Sequence, residues 1–219
     1  MTVDNVPYAP PETVQRVATP ANPKDARLKV LIISGQNSYE HDWTGVNNRL
    51  RTQLKDTGRF DVRVTEDFDD GTLAMLKKYD VVILNYASRW NYGDKDQHIW
   101  SAGAFKALYT YVAEGGGLVA YHSSFTWGRD IPEYRRLLGA VMMPGVSRRS
   151  PPDAFSIELV DREHPITRGL RRYHWNFMED KYTNMVFDPA AKIHVLATAI
   201  DDPADYDPER AGPKYDPKA

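Results

Sequence analysis

His122 stands at the end of a short apolar run, in "EGGGLVAYHSSFTWGR" (residues 114–129), with a small residue two places to either side, Ala120 and Ser124. A nucleophile elbow needs that pattern, because strand and helix approach closely at a strained turn. Centred on Ser123, the flanking positions would be Tyr121 and Phe125, which are too large. The elbow therefore presents an imidazole and not a hydroxyl. An imidazole there can move protons at neutral pH, ligate a divalent metal, or lie hydrogen-bonded beneath the loop.

A second imidazole, His41, lies in "SYEHDW" between Glu40 and Asp42, either of which could orient or charge the ring. Alone it has the pattern of a surface histidine. With His122 it could form a site for Zn²⁺ or a similar ion, if the fold brings the two together. "MEDKY" (178–182) adds Glu179 and Asp180, with His174 nearby, although its local pattern is that of a solvated turn. Aromatic side chains crowd the same stretches: Tyr39, Trp43, Tyr86, Trp90, Tyr92, Phe125 and Trp127. Flat rings beside Asp, Asn and Arg suit a sugar, whose C–H faces pack on rings while its hydroxyls take polar partners. Ordinary core and rim packing explains each ring taken singly.

These residues need a frame that gathers loops. "LKVLIIS" (28–34) is a continuous β-branched run, as expected of a strand covered on both faces. Val46, Leu50 and Leu54 then fall at i, i+4 and i+8, with Gly58 as a stop. "FDVRVTED" alternates as a strand nearer an edge, a short helix surrounds Leu73 and Leu76, and "DVVILNY" (80–86) is another buried strand. From Trp100 to Glu114, Ala104, Phe105, Leu108, Tyr111 and Val112 make one helical stripe ended by Gly115, and "LVAY" (118–121) is the fourth strand. Such βα units predict an α/β fold with a doubly wound, mostly parallel sheet. Ligands bind at the carboxyl ends of its strands, here the loops 35–43, 85–92 and 122–127. The second half is less regular: "AFSIELV" and "KIHVLATAI" read as strands with "HPITRGL" as a turn between them.

Residues 1–27 read as an extended arm, 28–202 as the α/β domain, and 203–219 as a Pro/Asp-rich tail. Gly115–Gly117 precede a strand and follow a helix, the reverse of a phosphate cradle, and "SGQNSYEHDWTG" holds neither G-x-G-x-x-G nor a P-loop Lys-Ser/Thr. No nucleotide or flavin is expected. The 28 Lys+Arg against 30 Asp+Glu argue for neither nucleic acid nor an anionic membrane as partner. No apolar run reaches the ~20 residues of a membrane span. With no cysteine there are no disulfides, thiolate sites or thiol nucleophiles. The N-terminus shows no signal peptide as written, which reads as cytoplasmic, or as exported if Met1 replaced a leader.

"KVLIISGQNSYEHDW", "YVAEGGGLVAYHSSFTW", "REHPITRGL", "MEDKY" and "KIHVLATA", in this order, resemble the ThuA-like (trehalose utilisation) family over roughly residues 28–202. The resemblance implies a flavodoxin-like fold of the class I glutamine amidotransferase type, and a role in the uptake or breakdown of disaccharides and other glycosides through 3-keto-sugar intermediates. It also implies that histidine stands where amidotransferases carry cysteine, so amidotransferase chemistry is not expected. The family motifs carry over onto His41, His122 and His164–Ile166, and the acidic pair before a tyrosine onto Glu179, Asp180 and Tyr182, in the order Glu-Asp where the family has Asp-Glu. Family members continue past "VLATA" with an aromatic-rich strand, a Gly-Lys-Gly turn and a closing Gly-His. Here "GPKYDPKA" follows instead, and the expectation is a missing final strand.

The expected function is an enzyme acting on a glycoside or keto-sugar as hydrolase, lyase or isomerase. His122 would be the acid/base or metal ligand, His41 its partner, and Glu179 or Asp180 a supporting carboxylate. Gln36, Asn37, Trp43, Tyr86, Trp90, Ser123, Trp127 and Tyr182 would contact the sugar. The alternative is a carbohydrate-binding module without chemistry. The expected partner is a small sugar or glycoside, with a homo-oligomer left open.

Overall fold

The computed structural model describes residues 27–35, 42–87, 100–128 and 130–202. The chain divides into two compact units, Met1–Ser124 and Phe125–Ala219.

In the first unit, β1 (Leu28–Gly35), α1 (Trp43–Asp56), β2 (Phe60–Thr65), α2 (Leu73–Leu76), β3 (Val81–Tyr86), α3 (Ala102–Ala113) and β4 (Gly117–Ala120) follow one another. The strands form a parallel sheet in the order β2-β1-β3-β4, with Val30 beside Val62 and Ile32 beside Ile83. This is the doubly wound α/β arrangement, and β2 lies at an edge as its alternation predicts. Strand order reverses between β1 and β3, so the crevice outside their carboxyl ends is the switch point.

Both faces of the central strands are covered, which is why β1 and β3 read as unbroken apolar runs. Val30, Leu31, Ile32 and Ile33 are buried, as are Val82 and Leu84. Leu50 and Leu54 of α1 pack on Val30, Ile32, Val62 and Ile83. Asp42 caps α1, its Oδ1 accepting from Gly45 N at 2.9 Å and Thr44 Oγ1 at 3.0 Å. Gly58, at φ +71, follows its end. From α3, Ala104, Phe105, Ala107, Leu108 and Tyr111 are buried. The glycine run is an αβ turn: Gly115 has φ +97, and a Cβ at Gly116 would fall 2.3 Å from the Tyr111 ring.

The second unit is built differently. It contains α4 (Pro132–Leu138), β5 (Ala140–Val141), β6 (Arg148–Arg149), β7 (Asp153–Leu159), β8 (Tyr173–Glu179), β9 (Tyr182–Thr183), β10 (Val186–Phe187) and β11 (Ala197–Ala199). Every pairing here is antiparallel: β11-β7-β8, β5 with β10, and β6 with β9. Of the strand expected over "KIHVLATAI", only Ala197–Ala199 forms. One further bond continues its pairing, Leu196 O accepting from Val160 N at 3.0 Å, and His194 Nε2 lies 2.7 Å from Asp161 Oδ2. "MEDKY" is likewise not a simple turn. Met178 and Glu179 end β8, where the register with β7 slips and Met178 adopts φ +55.

Candidate functional site

Where β4 ends, the chain turns through a 3₁₀ turn, His122–Phe125. His122 has φ +44, in the left-handed region that a residue bearing a Cβ rarely adopts. Its side chain is exposed. The turn is held from below. Leu84 O, near the end of β3, accepts from Tyr121 N at 2.9 Å and from Ser124 Oγ at 2.7 Å. Ser124 Oγ also lies 2.8 Å from Tyr121 O, and Ser124 is wholly buried. The need for a small residue two places after His122 thus has a physical content, since a larger one would collide with the β3 backbone.

Beside it, the carboxyl ends of β1 and β3 carry a buried polar network. Ser34 Oγ donates to Asn85 O at 3.0 Å, and Asn85 Nδ2 donates to Asn47 Oδ1 at 2.8 Å and to Trp43 O at 3.3 Å. Ser34, Asn47 and Asn85 are each at most 5% exposed, so the network fixes α1 against the sheet at the switch point. Sequence reasoning passed over these three residues. The signal of Ser34 and Asn85 is a polar side chain near the end of an otherwise apolar buried strand.

Tyr86 packs against Trp100, ring centroids 4.8 Å apart, in a cluster with Phe68 and Phe105. Burial, with Asp69 nearby, pushes its phenol up to about 12 against the pull of the Trp100 indole. At 4% exposure its ring is core in character. Trp43, half-buried, opens α1, and Ser123 is buried beside His122. Gln36, Asn37, His41 and Trp90 lie outside the described residues. The carboxylate of Asp42 caps its helix, and those hydrogen bonds hold it below the usual carboxylate range.

The remaining expected residues belong to the second unit. Trp127 is 2% exposed and packs on Tyr134 at 4.9 Å, so it offers no open ring face. Asp180 Oδ2 pairs with Arg149 Nε at 2.9 Å, while Glu179 is exposed. Tyr182 stands edge-on to Phe125 at 4.8 Å. The "HPI" histidine closes a turn: Asp161 Oδ1 accepts from Glu163 N and His164 N, and Thr167 Oγ1 donates to Asp161 O. The His164 ring lies 5.2 Å from that of His194, tilted by 42°. Among the described residues, no group of three or more His, Asp or Glu side chains could hold a metal ion, and no helix is long and apolar enough to cross a membrane.

Solved structures that resemble this one include two ThuA-like proteins. A ThuA-like protein from Parabacteroides merdae matches with TM-score 0.68 at 22% identity, over 82% of this chain and 71% of that one. A ThuA-like protein from Bacteroides uniformis matches with TM-score 0.58 at 24% identity, over 74% and 64%. At these identities the likeness is one of fold. No curated protein matches the chain. The sequence model of the ThuA family, described as trehalose utilisation, matches residues 29–217. The chain belongs to the ThuA family.

Proposed function

We propose that this protein acts on a glycoside or keto-sugar, with His122 as the group that moves the proton. Membership of a family described as trehalose utilisation supports a role in carbohydrate metabolism. The observation that carries the finer reading is the backbone of His122, held at φ +44 with its imidazole exposed at the carboxyl end of β4. A left-handed histidine is unfavourable by roughly 1–2 kcal/mol, and such strain clusters where it serves a function. Ser124 and Leu84 brace the turn that imposes it.

An imidazole with an ordinary pKa of ~6.5 can take the proton from a carbon next to a ring carbonyl and return it to a neighbouring oxygen or leaving group. That single role serves an isomerase, a lyase, or the first step of a hydrolase. A divalent ion would need His122 to be joined by ligands beyond the described residues, His41 first among them. Asp180, engaged by Arg149, takes no part in this chemistry. The burial of Trp127 and Tyr86 favours catalysis over a binding module built on those rings.

The test is turnover of a panel of glycosides and 3-keto-glycosides by wild type and His122→Ala, with circular dichroism as the control for folding. Loss of turnover in a folded variant supports the assignment. Unchanged turnover refutes it.

A further inference from the structure

In the three-stranded sheet β11-β7-β8, β8 forms an outer edge. Its residues pair across to β7 as Tyr173 with Glu158, His174 with Ile157 and Trp175 with Ser156. Leu159 N donates to Arg172 O at 2.8 Å, which makes that pair a hydrogen-bonded one. Hydrogen-bonded and non-hydrogen-bonded pairs alternate along an antiparallel ladder. The backbone N–H and C=O of Tyr173 and Trp175 therefore point away from β7, toward the open edge. Among the described residues, no backbone hydrogen bond outside the ladders involves residues 173–179.

Natural edge strands are protected by lysine, proline, an inward charge or a bulge. In "YHWNFME" the bulge comes only at Met178, and residues 173–176 pair with β7 in unbroken register with no lysine, arginine, proline or carboxylate among them. On one face of the same strand Tyr173 is 50% exposed and Trp175 66% exposed. The Arg172 guanidinium lies 5.1 Å over the Tyr173 ring, so an edge open among the described residues and the exposed Trp175 indole coincide on one short strand.

We infer that β8 pairs antiparallel with β8 of a second copy of this chain, about a two-fold axis at Trp175, joining two three-stranded sheets into one of six strands. Three features select this occupant. First, a two-fold centred on Trp175 sets its outward N–H and C=O against those of the partner's Trp175, so both edges are satisfied at once. Second, Arg172 being already paired with Glu158 of β7, the strand is basic before its start at Arg171 and acidic at its end at Glu179. Antiparallel pairing brings unlike ends together, whereas parallel pairing would oppose like charges. Third, the indole rings of the two copies meet on one face, and cross-strand aromatic pairs are among those that stabilise sheets. Two rings per copy, of about 150–250 Å² each when buried, fall short of the ~800 Å² per partner of a standard interface. The dimer is accordingly expected to form and dissociate with concentration.

The test uses the whole chain. Sedimentation of wild type should show a mass rising from 25.0 kDa toward twice that value with concentration. Trp175→Lys, which places on the edge the charge natural edges carry, should raise the dimer Kd roughly tenfold or more while leaving the monomer folded. The chain has no cysteine, so in Trp175→Cys any disulfide must join the two copies at that position. A hydrogen-bonded pair has Cα atoms ~5.5 Å apart, within disulfide range. Mild oxidation should therefore cross-link Trp175→Cys, and should leave Ile166→Cys, at a site 69% exposed, uncross-linked. A wild type that stays monomeric throughout, a Lys variant that dimerises as wild type does, or a dimer that fails to cross-link at position 175 would each overturn the inference.

Discussion

The hydroxyl of Ser124 lies 2.7 Å from the carbonyl oxygen of Leu84, and this bond fastens the turn carrying His122 to the central sheet. Ser124→Ala keeps the size the turn requires and removes the hydroxyl's contacts with Leu84 O and with Tyr121 O, the latter still accepting from Ser124 N. Leu84 O retains Tyr121 N as a donor, so no acceptor is stranded. The expected loss is about 1 kcal/mol, read by urea unfolding. A neutral result would mean the hydroxyl does not brace the turn.

The backbone at His122 makes a second prediction. At φ +44, glycine is comfortable and alanine is not. His122→Gly should be more stable than His122→Ala by about 1 kcal/mol, although both delete the imidazole. Equal stabilities would show that the left-handed geometry is not imposed by the fold.

Asn85 joins β3 to α1 through Asn47 and the Trp43 carbonyl. Asn85→Ala leaves the buried Asn47 oxygen without its donor, and about 1–3 kcal/mol of stability should be lost. The double variant with Asn47→Ala should lose less than the sum of the two single losses, since they share a bond. Strict additivity would contradict the network.

Two titrations have predictable signs. The Tyr86 phenol, raised to about 12 in the fold, favours folding fully below the unfolded tyrosine value of ~10. That contribution is lost as pH rises from there through about 12. Tyr111 is also raised, by burial first, so absorbance titration should show late-ionising tyrosine signal, of which the part near pH 12 is missing in Tyr86→Phe. The Asp161 carboxyl is held below its ordinary value, first by the His194 hydrogen bond and then by the amides of Glu163 and His164. Its contribution is present above ~3.9 and is lost as pH falls through the lower folded value. The advantage of wild type over Asp161→Asn should shrink only in that acid range. An advantage that does not change there would contradict the His194–Asp161 pairing.

The first half of the fold was legible because burial on both faces forces continuous apolar runs such as Val30–Ile33, and because Gly58 and Gly115 mark helix ends. The second half was not. Its strands β5, β6, β9 and β10 are two residues each, too short for any period to show. The Asp161–His194 contact, just beyond the end of the β7–β11 pairing, joins residues far apart in sequence. At the site, the small residues around His122 foretold a tight turn after β4. The Ser34–Asn85–Asn47 network was hidden because Ser34 and Asn85 looked like isolated polar residues in apolar strands and Asn47 like one of many polar residues of α1. Trp127 misled as a sugar platform, since density of aromatics in a loop does not reveal that Tyr134 covers the ring.

The central claim, that His122 moves a proton beside a sugar carbonyl, is most directly tested by isotope exchange. A 3-keto-glycoside would be incubated in D₂O with wild type or His122→Ala, and the hydrogens next to the carbonyl followed by NMR. Exchange catalysed by wild type and abolished in a folded His122→Ala would match the account, whichever final product forms. Exchange at the same rate with both proteins would contradict it.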